Sequence, residues 1–351
     1  MNAISMRLGT RRSTLATTQS GWVAQCLRDL GHEVDIVEIT TFGDTSTAPL
    51  SSIGGTGVFV TAIRKALLSG EIDVAVHSLK DLPVAPEPGL RIAAIPVRED
   101  PRDAVVARDG LTLGKLPSGS VVGTGSPRRV AQLTALGLEV SVMEIRGNVD
   151  TRISLVHDGA CDAVLLAHAG LARLGRLDEV TESLDPQQML PAPGQGALAV
   201  ECREDRPDVI EALSALDDPD TRAAVSAERA LLAALEAGCT APVGALATVT
   251  HGEHGDELHL LAFAGSEDAS IALRRSATGP LEEPERLGRD LAAVLLADGA
   301  DKIPGLRAGQ PSSGGSPTDQ PDARGPDSSL AAPASPPDLS CPDQTATERV
   351  L

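Results

Sequence analysis

The chain has 351 residues and a formal charge of −19, of which the last 48 residues contribute −3. Such acidity opposes broad contact with nucleic acid or anionic membrane, and three Phe, one Trp and no Tyr remove the stacking platforms of single-strand binders. The length allows two or three domains with cores of Ala, Val and Leu, and any anionic ligand must be held by arginines gathered locally against the sign of the whole.

Met6 to Thr10 reads as a strand running into Arg11-Arg12-Ser13. A helix follows from Thr14 to Leu30, with Ser13 as its cap and Gly31 as its stop. Glu33 to Ile39 is a strand, and Thr40 to Gly57, ending in Gly54-Gly55-Thr56-Gly57, a mobile loop. Helix returns at Val58 to Ser69. The run Ile72 to Val76 then suits a buried strand, and His77 to Asp81 turn polar. Ligands in open α/β sheets collect beyond the carboxyl ends of strands, which puts Lys80 and Asp81, a cation beside a carboxylate, where chemistry happens. Asp81 equally suits a plain turn before Pro83.

Leu90 to Val97 is a further strand, and Arg98 to Arg102 a crossover into a second unit where the rhythm restarts. Its strands are read at Ala104 to Ala107, Val121 to Gly123, Val140 to Ile145 and Asp162 to Leu166. Helices separate them at Pro127 to Leu136, Val149 to Asp158 and about His168 to Leu174. Leu190 to Gly196 is a second hinge-like crossing, and Ala197 to Cys202 a strand returning to the first unit. Helix from Pro207, an amphipathic helix from Thr221 to Glu236, strands at Gly244–Thr250, Glu257–Ala264 and Ile271–Ala277, and a helix from Glu282 to Ala297 complete the folded chain. The expected fold class is α/β: two doubly wound lobes, 1–96 with 197–214 and 97–196, plus a small α+β domain, 215–303. Pro, Ser, Gly and Asp without apolar period mark 304–351 as a disordered tail.

The five cysteines (Cys26, Cys161, Cys202, Cys239, Cys341) are odd in number, scattered and without a C-x-x-C, so neither a disulfide framework nor a zinc site is expected. Met1 to Thr10 lacks the apolar core of a signal peptide, and no window reaches a membrane span. A soluble, cytoplasmic monomer is expected, the last because no long apolar surface stripe remains unassigned.

Val121 to Arg129 reads as strand, glycine turn, capping Ser126, then Pro127 at the first helical position. Free N–H groups at that helix start favour an anion, and Arg128 with Arg129 add guanidiniums able to grip a carboxylate by two hydrogen bonds. The pattern of strand, cap and arginine also occurs at Arg11 with Ser13, and Arg146 with Arg152 follows the Val140 strand. Arg173 ends the next helix. Any one of these suits a solvated helix end; several at the ends of successive strands suggest a cleft for a ligand with several carboxylates or phosphates, between which the residues do not choose. The Gly54 loop is no P-loop, lacking Gly-Lys-Ser/Thr. Cys239 stands in irregular chain between Gly238 and Pro242, where a thiol can project into a cleft, whereas Cys26, Cys161 and Cys202 read as core residues. His77 has no partner at metal-ligand spacing, and His251 and His254 read as loop residues; no metal is expected.

Taken in order, Thr10-Arg11-Arg12-Ser13, Gly54 to Phe59, His77 to Pro83, Gly123 to Arg129, Arg146 to Val149, Pro193 to Ala197 and Gly238-Cys239 resemble the porphobilinogen deaminase (hydroxymethylbilane synthase) family over about residues 6–300. The resemblance implies two periplasmic-binding-protein-like lobes and a small domain whose cysteine holds a dipyrromethane cofactor by a thioether. It implies stepwise head-to-tail condensation of four porphobilinogen molecules onto that primer with loss of ammonia, then hydrolytic release of a linear tetrapyrrole. Carried over, Cys239 is the cofactor cysteine and Asp81 the catalytic carboxylate. Lys80, Ser78, Ser13, Thr124, Ser126, Arg128, Arg129 and Arg146 are implied as cofactor-binding, and Arg11, Arg152, Arg173, Gln195 and Phe59 as substrate-binding. Ser52 and Thr56 depart from the family, whose members often carry lysines there. The rival is a non-catalytic two-lobe binder of a polycarboxylate, which has no need of Cys239.

Overall fold

The computed structural model describes residues 3–39, 57–238, 241–252 and 255–306. Five strands, β1 (Ser5–Thr10), β2 (Glu33–Glu38), β3 (Val74–Ser78), β4 (Leu90–Ala94) and, from much later in the chain, β10 (Leu198–Arg203), form one sheet in the order β2-β1-β3-β10-β4. Five more, β5 (Asp103–Ala107), β6 (Val121–Gly123), β7 (Ser141–Met143), β8 (Ala163–Ala167) and β9 (Glu182–Ser183), form a second in the order β7-β6-β8-β5-β9. The two orders repeat one pattern. Three parallel strands are followed by an antiparallel strand that has crossed from the other lobe, β10 in the first sheet and β5 in the second, and then by an outer strand.

Apolar runs become central strands here because both faces are covered. Val74 and Val76 of β3 join Val23, Ala24 and Leu27 of α1 (Thr14–Asp29) in one core, while Ala75 joins Ile63 and Leu67 of α2 (Gly57–Leu68) in another. The second lobe does the same. Ala104 and Val106 pack with Ile153 and Val156 of α4 (Val149–His157), and Val105 and Ala107 with Leu133 of α3 (Pro127–Ala135). Each fully buried Leu or Val contributes roughly 1.5–3 kcal/mol. A short α5 (His168–Arg173) follows β8, and α6 (Pro207–Ser214) follows β10.

The third unit is an antiparallel meander of β11 (Val243–Gly252), β12 (Gly255–Gly265) and β13 (Ala272–Pro280), with α7 (Pro219–Ala234) and α8 (Pro284–Ala297) against it. Alternation in β12 sends Leu258, Leu260 and Ala262 inward, onto Leu231 of α7 and Leu291 and Leu295 of α8. The α/β class with a small α+β unit is therefore as expected. The tail beyond residue 306 lies outside the described residues.

Glu228 of α7 ties this unit to both crossings. It is fully buried and accepts from Arg98 Nη1 and Nη2 at 2.7 and 3.0 Å, from Gly194 N at 2.6 Å and from Ala247 N at 2.9 Å.

Three expectations need correction. The central strand runs from Val74 to Ser78, not Ile72 to Val76, because the antiparallel ladder with β10 continues through His77↔Ala199 and Ser78↔Leu198. His77 is thus a buried strand residue, its Nε2 3.4 Å from Glu201 Oε2. His251 is likewise in β11 rather than a loop, ion-paired with Asp220 at 2.8 Å and Asp256 at 3.1 Å; His254 lies outside the described residues. Ser126 stands at the cap position of α3, but its side chain makes no capping bond. The two-residue strand β9 was not foreseen, being too short to show a period.

Candidate active site

Parallel pairing puts the carboxyl ends of β1 and β3 on one edge of the first sheet, with Leu8 opposite Val74 and Gly9 opposite Ala75. That edge carries Arg11, half-buried, and Ser13, whose hydroxyl accepts from Ala16 N at 3.4 Å as the cap of α1. Ser78 ends β3 and exchanges hydrogen bonds with the Gln19 side chain at 3.2 and 3.3 Å. Directly after it, Leu79–Asp81 forms a single 3-10 turn that leaves Asp81 exposed and Lys80 half-buried.

In the second sheet β6 is parallel to both β7 and β8, so the ends of all three share an edge. Thr124, buried, follows β6 and accepts from Ser126 N at 3.3 Å. The glycine between them fits tightly, since a Cβ on Gly125 would meet Ile145 O at 2.6 Å. Arg146 is exposed and paired with Glu144 at 2.8 Å, and Arg152 is half-buried with its Nε on Gly147 O at 2.9 Å. Arg173, at the end of α5, donates to Gly196 O at 2.6 Å.

Arg128 and Arg129 do not simply face outward. Both are buried and share one carboxylate, Asp103 at the head of β5, at 2.8 Å each. Arg128 also donates to Leu190 O, and Arg129 to Leu165 O at 2.7 Å. Gln195 completes the group: its Nε2 donates to Asp103 at 2.7 Å and its Oε1 accepts from Lys80 Nζ at 3.2 Å. A continuous polar chain therefore runs from the turn of the first lobe through the second crossing to the arginines of the second lobe.

Burial would raise the pKa of Asp103, but the charges of Arg128 and Arg129 hold its carboxyl far below the usual range. Burial pushes the Lys80 ammonium down to about 8, with Asp81 opposing and Arg129 adding to the push. The Arg152 guanidinium is lowered by burial and then by Arg129 and Arg146, against the pull of Asp81. Arg173 is pushed down to about 10 by burial, with Glu99 opposing. Lys80 thus lies in the fields of Asp81, Arg128 and Arg129, and Arg152 in those of Arg129, Arg146 and Asp81, so charges from both sheet edges meet here. The lobes also touch beside this site, where Leu15 comes within 3.9 Å of a Cβ placed on Gly170.

Two models of porphobilinogen deaminase match the sequence: the dipyrromethane cofactor binding domain over residues 6–211 and the C-terminal domain over 222–297. The chain belongs to the porphobilinogen deaminase family. Porphobilinogen deaminase 1 of Streptomyces coelicolor is 57% identical over 318 residues, 88% of this chain and 100% of that one. The porphobilinogen deaminase of Mycobacteroides abscessus is 55% identical over 305 residues, 86% of this chain and 99% of that one. Among solved structures, a methionine-binding lipoprotein of Bacillus subtilis shares 12% identity at a TM-score of 0.38, over 60% of this chain and 89% of its own.

The cofactor of a porphobilinogen deaminase carries carboxylates, and the donors here suit it. Arg128 Nε and Arg129 Nε are buried with no hydrogen-bond partner among the described residues, and buried donors of that kind call for an acceptor. Cys239, Gly54, Gly55, Thr56 and Ser52 lie outside the described residues, as does the side chain of Phe59 in α2; of the residues that flank Cys239, Ala241 N donates to Gly238 O at 2.9 Å. Asp103 and Glu228 were not singled out in the sequence, and Arg98 was read only as the start of a crossing. An Asp heading the apolar run Ala104–Ala107 was the available signal for the first.

Proposed function

We infer that this chain is a hydroxymethylbilane synthase, a transferase that condenses four porphobilinogen molecules head to tail with loss of ammonia and releases the linear tetrapyrrole by hydrolysis. The observation that carries the reading is the convergence of Asp81 with Lys80, Arg128, Arg129, Arg146 and Arg152 between the two sheet edges. When bound at Cys239, a dipyrromethane supplies the pyrrole carbon from which the chain is extended.

The protein's own groups then do three things. The guanidiniums of Arg129, Arg146 and Arg152 bind and orient acetate and propionate groups, by paired hydrogen bonds where geometry allows. Arg11, Ser13, Ser78, Thr124, Ser126 and Gln195 line the same edges. Arg128, Arg129, Arg152 and Arg173 each spend part of their guanidinium on main-chain carbonyls, at Leu190, Leu165, Gly147 and Gly196, so their share in binding rests on the remaining N–H groups. Asp81, exposed on its turn, accepts the pyrrole N–H and opposes the positive charge that grows on the ring as ammonia leaves. The same carboxylate then takes the proton lost from the attacked ring carbon, a role worth roughly 10²–10⁴-fold in rate.

Local clustering of cations explains how a chain of charge −19 takes an anionic substrate. The same reading has the protein work as a monomer and in the cytoplasm, the latter in keeping with the buried free thiols of Cys161 and Cys202. Intact mass tests it. The purified protein should exceed its sequence mass by one dipyrromethane, Cys239→Ser should abolish the increment, and Asp81→Ala should fold yet lose most turnover. A folded, unmodified native chain would favour the polycarboxylate binder instead.

A further inference from the structure

The turn that carries Asp81 is short, exposed and followed by proline, so something must hold it still. Within it Leu82 N donates to Leu79 O at 3.1 Å, and Leu79 N donates to Ala197 O at 3.0 Å. Gln195 holds Lys80 from the second crossing, and further support comes from α7. Val225, fully buried, packs with Leu79 and Leu82, the apolar residues that flank Lys80 and Asp81. One helical turn on, at the i+4 position that shares this face, Arg229 lays its guanidinium along the main chain. Its Nη1 donates to Leu82 O at 3.1 Å and to Leu79 O at 3.4 Å, and its Nη2 to Pro83 O at 2.8 Å.

Three carbonyls on one planar fork fix an orientation as well as a position, which a lysine's point charge does not. The neighbouring Glu228 binds Arg98 and Gly194 N, the segments that cross between the lobes. The two consecutive residues therefore grip different parts: Glu228 the crossings, Arg229 the Asp81 turn. The helix that bears them ends at Ala234, five residues before Cys239.

We propose that Arg229 is a positioning residue for catalysis, aiming the Asp81 carboxylate at the reacting ring by holding the carbonyls of Leu79, Leu82 and Pro83 on the helix that leads to Cys239. The proposal rests on the assignment of Asp81 above. Misplacing a reacting group by about 1 Å from a distance can cost on the order of 100-fold, and losing this fork frees the turn to move by that much.

The test uses the full chain carrying its mass increment at Cys239, so that turnover is counted per loaded molecule. Arg229→Met should lower kcat roughly 10- to 100-fold with KM for porphobilinogen within about twofold, because Arg229 touches none of the arginines assigned to carboxylate binding and most of those sit on the other lobe. Arg229→Lys, retaining charge and stem, should fall between that variant and the wild type. A wild-type kcat in either variant, or an equal rise in KM with kcat unchanged, overturns the proposal. A variant that never loads the increment also counts against it, since the contact would then maintain the fold rather than aim the acid. Asp81→Ala run alongside separates the two ideas. If it keeps wild-type turnover, the assignment of Asp81 fails; if it is inactive and Arg229→Met is normal, the positioning role alone fails.

Discussion

Asp103→Asn removes one negative charge from a site that offers it no water. The carboxylate is fully buried and accepts from Arg128, Arg129 and Gln195 at 2.8, 2.8 and 2.7 Å. An asparagine has one oxygen, so whichever way it turns, its NH₂ faces a donor, and at least one charge-assisted bond worth about 1.5–3 kcal/mol is lost. The larger cost is that two buried guanidiniums keep their charges with no carboxylate between them. Breaking a buried pair in this way costs about 3–5 kcal/mol, against a total stability of about 5–15 kcal/mol. Urea unfolding followed by far-UV circular dichroism measures the loss, and the single tryptophan, Trp22 on α1, reports the first lobe separately. Inorganic phosphate should stabilise the variant more than the wild type, by up to about 2.7 kcal/mol at a hundred times its Kd, because the pocket then lacks its own anion. A loss below about 1 kcal/mol with no gain from phosphate would refute the view that Asp103 neutralises the pair.

With the Lys80 pKa near 8, the ammonium that attracts anions is present below that pH and disappears above it. kcat/KM should therefore fall on the alkaline side, and Lys80→Arg, which stays charged, should move that limb upward; an unmoved limb would show that Lys80 does not set it. Glu228→Gln leaves Arg98 without its buried counter-charge and should lower stability by about 3–5 kcal/mol, read as a reduced urea midpoint. Gly196→Ala should be among the most damaging small changes, because its φ of +87° suits glycine and a Cβ there would lie 2.3 Å from Glu99 O; wild-type thermal stability in that variant would contradict the geometry.

Much of the architecture was legible because covered strands are written as apolar runs. Val121–Gly123 was placed to the residue, as were the helix starts at Thr14, Pro127 and Val149, the first two from a capping serine and a proline. The error at His77 came from treating polarity as the end of a strand. Its imidazole lies beside the carboxylate of Glu201, a residue 124 positions later, and no local pattern encodes such a neighbour. The arginines were legible as a set but not in their duties. That Arg128 and Arg129 turn inward to Asp103 depends on β5 crossing into their sheet, and Arg229 read only as part of an amphipathic helix until the fold laid it against Pro83.

The exchange of strands between the lobes has a bearing on how the chain is made. Every described strand of the second sheet lies between residues 103 and 183, so that lobe can assemble as soon as it leaves the ribosome. The first cannot. β4 pairs with β10 alone among the described strands, and β10 is translated last, about a hundred residues later. The amino-terminal half of the molecule must wait, half-zipped, for a strand delivered through its already folded neighbour.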